Sequence, residues 1–328
     1  ELADADEPEV AHAAVRAMTT VQDPRFLPLL VRRLSIRTGR ATVRDALVAL
    51  GEPAFEVLER ALNAPQTPTR VRTHVPATLA RFGTQRAADV LLDALEATSD
   101  GRLRYKILRA LRLLAESADV RLERRRLEAR VLRELREHYR MAGYRLAVAR
   151  ARAAAGDEGL TSGGLLEGLL ADKRDQALDR VFLLLQASFP DEELRSVRAA
   201  ARSGDRRRRA QAQEFLDALT LGARAPELRP LLRLSVDDLP EEERLRRARE
   251  ELGGELSPGA PPTRDLDTAS TDAALHDLLQ DEDAAVSSLA AYHVLETGQL
   301  GPRGLVGEDD ATRSITQDLR VLARRLGG

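Results

Sequence analysis

The chain has 328 residues, 32% of them charged and only 3% aromatic, with no tryptophan and no cysteine. The missing cysteine excludes disulfides, thiolate nucleophiles and sulfur-ligated metals. A formal net charge of −2 gives no global pull toward nucleic acid or acidic lipid. Thin helical layers filled by Leu, Ala and Val need few aromatics, so the composition suits stacked helices, as one elongated array or as two or three compact domains. Lys106 and Lys173 are the only lysines among many arginines, a bias that genome composition explains. No apolar run approaches the ~20 residues that span a bilayer; the longest, Val181–Phe189, is too short. The chain opens at Glu1 with neither methionine nor signal peptide. The expectation is a soluble, cytosol-type helical protein, cut from something longer.

In chain order, Val10, Ala14, Ala17 and Val21 mark a first helix over Val10–Thr20. Asp23-Pro24 starts the next, and helices Arg25–Leu34 and Ala41–Leu50 form a pair ended by Gly51. Glu52-Pro53 restarts the pattern with Phe55–Leu62, then Val71–Phe82, closed by Gly83. The stretch Thr84–Glu116 is the clearest unit. Ala87, Ala88, Leu91, Leu92 and Leu95 share one helical face. After a break at Ser99-Asp100-Gly101, Leu103, Ile107, Leu108, Leu111 and Leu114 share another. Two such helices pack antiparallel yet leave an apolar face uncovered, so the unit needs similar units stacked on it. The starts at Asp23, Glu52 and Thr84 lie 29 and 32 residues apart, a two-helix repeat spacing.

After Ser117 the rhythm changes. Leu122, Ala129, Leu132, Leu135, Tyr139, Ala142, Leu146, Ala149 and Ala153 make one unbroken stripe, which predicts a single helix of roughly 48 Å. Small residues from Gly156 to Gly164 turn the chain into a second helix with Leu166, Leu170, Ala177, Val181, Leu184 and Leu185 inward. Short pairs then resume at Glu192–Ala201 with Arg206–Leu219 and at Pro226–Val236 with Glu241–Leu252. Gly253–Ser270, rich in Gly and Pro, predicts a linker. Asp272–Gln280 and Ala284–Thr297 form another pair, and Thr312–Leu326 a capping helix.

Chemistry is sparse. His12, His74, His138, His276 and His293 show no metal-ligand spacing. His74, beside Pro76, reads as a packed or capping residue. The acidic clusters Asp281–Asp283 and Glu308–Asp310 precede helices, where capping and the helix dipole explain them. There is no phosphate-binding loop, no G-x-S-x-G elbow, and the run Gly159–Gly168 opens no strand–helix unit. The expectation is a protein without catalytic residues, cofactor or metal. Two basic clusters stand out. Arg206, Arg207, Arg208 and Arg209 follow Arg202 with only Asp205 to offset them nearby. A patch for phosphate or an acidic partner is one reading, although four consecutive helical residues spread around the cylinder. Arg126, Arg130, Arg133 and Arg140 share a weaker edge of the long helix, interleaved with Glu128, Glu134 and Glu137; pairs such as Arg130/Glu134 and Arg133/Glu137 make a neutralised, solvated face.

The units resemble bacterial, lyase-like HEAT repeats in Gly83-Thr84-Gln85-Arg86-Ala87 and in Asp100-Gly101-Arg102-Leu103-Arg104-Tyr105-Lys106 through Leu111. A narrower likeness rests on His74–Leu79, Leu103–Leu111, Ala177–Leu185 and Ala212–Asp217. These look like the HEAT-containing cytosolic extension of bacterial ADP/ATP-translocase-like membrane proteins, over roughly residues 40–300. That resemblance implies a regulatory or docking domain at the cytosolic face of a membrane, beside a transporter module this chain does not contain. The repeat likeness alone also suggests an enzyme of the phycobilin-lyase sort.

The expected fold is all-α: a HEAT-like α-solenoid of antiparallel helix pairs interrupted by a long αα-hairpin. Its segments are repeats over 1–117, the hairpin brace over 118–190, further pairs over 191–252, the linker 253–270, and a terminal repeat with capping helix over 271–328. The expected function is a non-enzymatic scaffold that binds a protein partner or neighbouring domain along successive second helices. The rival is a nucleic-acid-binding HEAT protein using the arginine patches, although stacking aromatics are lacking nearby.

Overall fold

A computed structural model describes residues 7–157, 161–189, 194–201, 205–219, 228–252 and 271–298. The described residues are helical, without strands. The chain divides into two compact units, residues 1–130 with 183–192 and residues 131–182 with 193–328; the divisions after 130 and after 182 fall within the expected brace 118–190 and the one after 192 falls beyond it. The linker 253–270 and the helix expected at Thr312–Leu326 lie outside the described residues.

The first unit begins with α1 (Pro8–Val21), α2 (Leu27–Arg33), α3 (Arg40–Ala49) and α4 (Glu52–Asn63). The short α5 (Thr69–Arg72) and α6 (Val75–Leu79) follow, then α7 (Gln85–Ala97) and α8 (Gly101–Ala115). These helices form two rows. Helices α2, α4 and α7 pack side by side in one, and α1, α3, α6 and α8 in the other. The rows meet through Leu30, Leu47, Phe55, Leu58, Leu91, Leu95, Ile107, Leu108 and Leu111, each fully or almost fully buried. Each such side chain contributes about 1.5–3 kcal/mol relative to exposure. Phe55 and Phe82 add an edge-to-face contact at 5.3 Å. The guanidinium of Arg86 lies 4.5 Å from the Phe55 ring and also binds Glu52 and Glu59.

Local chemistry sets the boundaries. Gly83 takes φ 65°, a left-handed conformation that ends the preceding turn. Thr84 Oγ1 then accepts from the Ala87 N–H at 3.2 Å and caps α7. Asp100 caps α8 by accepting from Arg102 and Leu103. The single helix expected over Val71–Phe82 is instead three pieces: α5, α6 and a 3-10 turn over Ala80–Phe82. Pro76 is the reason. It has no N–H to give the carbonyl four residues back, and its ring clashes with that turn, so the helix breaks before it and restarts with Pro76 in the first turn.

The two long helices are α9 (Arg124–Ala155) and α10 (Ser162–Ser188). In the second unit they run antiparallel, tied by Arg180–Glu134, His138–Arg174 and Arg145–Glu167. Helices α11 (Leu194–Ala201), α12 (Arg206–Ala218), α13 (Leu228–Val236) and α14 (Glu241–Glu251) pack successively. Helices α15 (Thr271–Leu279) and α16 (Ala284–Thr297) form a pair. Leu275, Leu278, Val286 and Ala290 of that pair share one core with Met141, Tyr144, Val148, Leu166 and Leu170 of the hairpin. Gly163 permits a close approach there, since a Cβ would meet Arg152 at 3.1 Å and His293 at 3.2 Å. On α9 the expected stripe holds at Leu135, Tyr139 and Ala142, whereas Ala129 and Ala153 are exposed and Glu134 and His138 are buried. Apolar spacing names one face only, while α9 is enclosed over a wider arc whose polar members find partners.

Candidate functional site

The most distinctive surface of the first unit lies on the α1–α3–α6–α8 row. Arg40 and Arg44 sit one turn apart on α3, with Arg37 just before it. On α8, Arg102, Lys106 and Arg109 follow at helical spacing and point away from the buried face formed by Leu103, Ile107, Leu108 and Leu111. Between the two helices stands His74, the residue preceding α6. These side chains feel one another. Burial, then Arg109, Arg102, Arg40 and Arg44, push the Lys106 ammonium below its ordinary value. Burial, then Arg81 and Arg40, do the same to Arg44. His74 is pushed down to about 4 by burial and by Arg40, Arg44, Lys106 and Arg102, so it is neutral at physiological pH.

Few counter-charges intrude. Arg40 spends its hydrogen bonds on the carbonyls of Leu34 and Ser35 at 2.7 and 3.2 Å. Among the described residues Arg44, Arg102, Lys106 and Arg109 have no carboxylate partner, and the Nε of Arg44 is shielded from solvent without an acceptor. Asp45 is occupied by Arg81. Leu113, 50% exposed, extends the stripe of Arg102, Lys106 and Arg109. The surface is therefore a row of cations from two repeats beside an exposed apolar side chain.

The arginines singled out by sequence stand elsewhere and mostly in pairs. Arg206 meets Asp238 at 2.5 Å, Arg209 meets the same carboxylate at 3.0 Å, and Arg208 lies 3.4 Å from Asp205. Arg207 alone of the four has a side chain without a partner among the described residues. Arg202 lies outside them. The run is thus offset by Asp238 as well as Asp205, which corrects the count of neighbouring charge. Arg126 is held by Asp93 and Glu96 at 2.7 and 2.6 Å. Arg130 is buried, Arg133 is exposed, and Arg140 binds Glu137 and Asp281. Glu134 also binds Arg180, and Glu137 binds Arg140.

In the second unit a cleft of about 270 Å³ opens among helices α9 to α14. His138, Arg174, Asp175, Asp179, Arg198, Arg209, Ser235, Glu241 and Arg244 supply most of its polar lining. The carbonyl of Arg174 can only accept, so His138 donates to it from Nδ1 at 3.1 Å and keeps Nε2 as an acceptor. Burial pushes His138 down to about 4. Tyr139 is deeply buried, with its hydroxyl donating to the Leu231 carbonyl at 2.7 Å.

Ser162 Oγ lies 2.8 Å from His293 Nδ1, and both residues are buried. Among the described residues no group of three or more acidic or histidine side chains is placed to hold a metal, and no helix is long and apolar enough to cross a membrane.

Residues 37–112 match a family model described as HEAT repeats, a segment that holds every member of the first unit's cationic row. No curated protein matches the chain. HEAT repeats commonly act as protein-interaction scaffolds, and the family is generally non-enzymatic. The match and the two-row stacking of α1–α8 agree: the fold is an all-α solenoid of HEAT-like helix pairs.

Proposed function

We propose that the chain is a non-enzymatic interaction scaffold whose first unit docks an acidic segment of a protein partner along α3, α6 and α8. One observation carries this reading. Arg44, Arg102, Lys106 and Arg109 converge there without carboxylate partners among the described residues. Exposed cations on a rim steer and orient an acidic partner, while an apolar anchor supplies desolvated contact. Leu113 is placed to be that anchor. The same cations support the nucleic-acid reading, but Leu113 and the scarcity of aromatics favour a polypeptide. The resemblance to translocase-like extensions suggests one such arrangement, with the segment in an adjacent domain at the cytosolic face of a membrane.

The test is affinity capture from a nuclease-treated lysate, comparing the chain with its Arg102→Glu/Lys106→Glu variant. Proteins held by the first and lost by the second support the reading. Capture that is identical for the two overturns it. Nucleic acid recovered without nuclease, in place of protein, turns the assignment to the alternative.

A further inference from the structure

The cleft of the second unit contains a cation that the fold does not satisfy. Four guanidinium groups line it: Arg174, Arg198, Arg209 and Arg244. Three are partnered. Arg174 binds Glu241 at 3.1 Å, Arg198 binds Asp179 at 2.7 Å, and Arg209 binds Asp238 at 3.0 Å. Arg244, on α14, has no ion pair or side-chain hydrogen bond among the described residues, and its Nε is closed off from solvent with no acceptor. The carboxylate of Asp237 is close enough to influence it, but accepts instead from Gln213 and from the Leu239 N–H at 2.9 and 3.1 Å. A shielded donor without an acceptor is costly, and charge makes it more so.

We propose that this cleft binds a small phosphate monoester, with the phosphate on Arg244 and the hydroxyl-bearing remainder on the other polar groups of the lining. Arginine presents a planar fork of donors matched to phosphate oxygens, and bidentate pairing adds geometric selection to charge. The other lining groups suit a hydroxylated body. Asp175, Asp179 and Glu241 accept hydrogen bonds, and His138 keeps Nε2 as an acceptor because Nδ1 is committed to Arg174. At about 270 Å³ the cleft sits just below the ~300–1,000 Å³ of typical ligand pockets. That selects small ligands. The carboxylates repel a ligand with charge on all sides, so one phosphate on an otherwise neutral polyol fits best. Burial and the nearby charges of Arg174 and Arg209 depress the Arg244 guanidinium, a field that an incoming anion would relieve.

This assignment does not depend on the proposed docking face, whose residues lie in the first unit. Glycerol 3-phosphate, inorganic phosphate and sulfate serve as probes on the full chain, by calorimetric titration at constant ionic strength. The expected result is saturable binding of glycerol 3-phosphate, at least ten-fold tighter than sulfate. Arg244→Gln should weaken it ten-fold or more, Arg244→Lys should weaken it less, and Arg102→Gln should leave it unchanged. Because Arg244 has no partner to strand, its replacement should not lower the thermal midpoint; a retained midpoint with lost binding separates ligand recognition from folding. No saturable binding, equal affinity for sulfate, or full binding by Arg244→Gln each overturns the proposal.

Discussion

Arg180 and Glu134 meet at 2.7 Å in the interior of the second unit, with side chains 6% and 0% exposed. Burying both charges between α9 and α10 is expensive, and their attraction offsets the cost only while they remain paired. Replacing one takes a close counter-charge from the other. Arg180→Leu should cost about 3–5 kcal/mol, whereas Arg180→Leu/Glu134→Leu should recover most of that loss. Urea denaturation measures both, read from the midpoint at constant slope. If the double variant is as unstable as the single, the pair is not what the interior depends on.

Asp100 closes the N-terminus of α8 by accepting from Arg102 and Leu103 at 2.9 and 3.2 Å. Asp100→Ala leaves those two N–H groups to water, and should destabilise the first unit by about 1 kcal/mol. Asp100→Asn keeps the acceptor and should lose much less. The pair of variants distinguishes the hydrogen-bonded cap from a loss of charge alone, since both remove the carboxylate.

Caps of this kind are why so much of the fold was legible. Thr84, Asp100, Asp205 and Asp283 announce α7, α8, α12 and α16, and each accepts from backbone N–H groups of its helix. The repeat phase follows from apolar spacing, which is local. What escaped is non-local or a matter of backbone sterics. Pro76 divides a segment whose apolar pattern reads as one helix. The run at Arg206 draws notice as consecutive charges, yet Asp238, about thirty residues later, folds back upon it. The cations of Arg40, Arg44, Arg102 and Lys106 show the reverse. They are scattered through sequence and assembled by stacking, so no run marks them. The spacing of Arg102, Lys106 and Arg109 opposite the Leu face of α8 is the one signal available beforehand.

His138 makes acid stability informative. Burial, first, and the charges of Arg174 and Arg244 keep its folded value at about 4, against an ordinary 6.5, while the Arg174 carbonyl and Asp175 act in the opposite direction. The unfolded chain therefore binds the proton first. Between about pH 6.5 and 4 stability should fall as pH falls, because protonation favours the unfolded state. His138→Asn can keep a donor for the Arg174 carbonyl while removing the titration. Its thermal midpoint should vary less over that window than the parent's. An identical pH profile for the two proteins would remove His138 from the account.

His74 carries the same sign for stability but the opposite one for binding. In the uncomplexed first unit it faces Arg40 and Arg44 from α3 and Arg102 and Lys106 from α8, which together with burial hold it near 4. An acidic segment laid across those cations supplies the negative charge the histidine lacks, and raises its value in the complex. Binding then takes up a proton between the two values, so affinity for an acidic peptide should rise as pH is lowered from 7 toward 5. His74→Ala should flatten that dependence without abolishing binding. Arg102→Glu/Lys106→Glu should weaken binding about ten-fold or more, equivalent to ~1.4 kcal/mol, chiefly through slower association. Added salt should reduce the difference, because exposed charges are screened beyond about 10 Å at 0.1 M. A difference that persists undiminished in high salt would mean that the substitutions act on packing, and that the row of cations is not what the partner recognises.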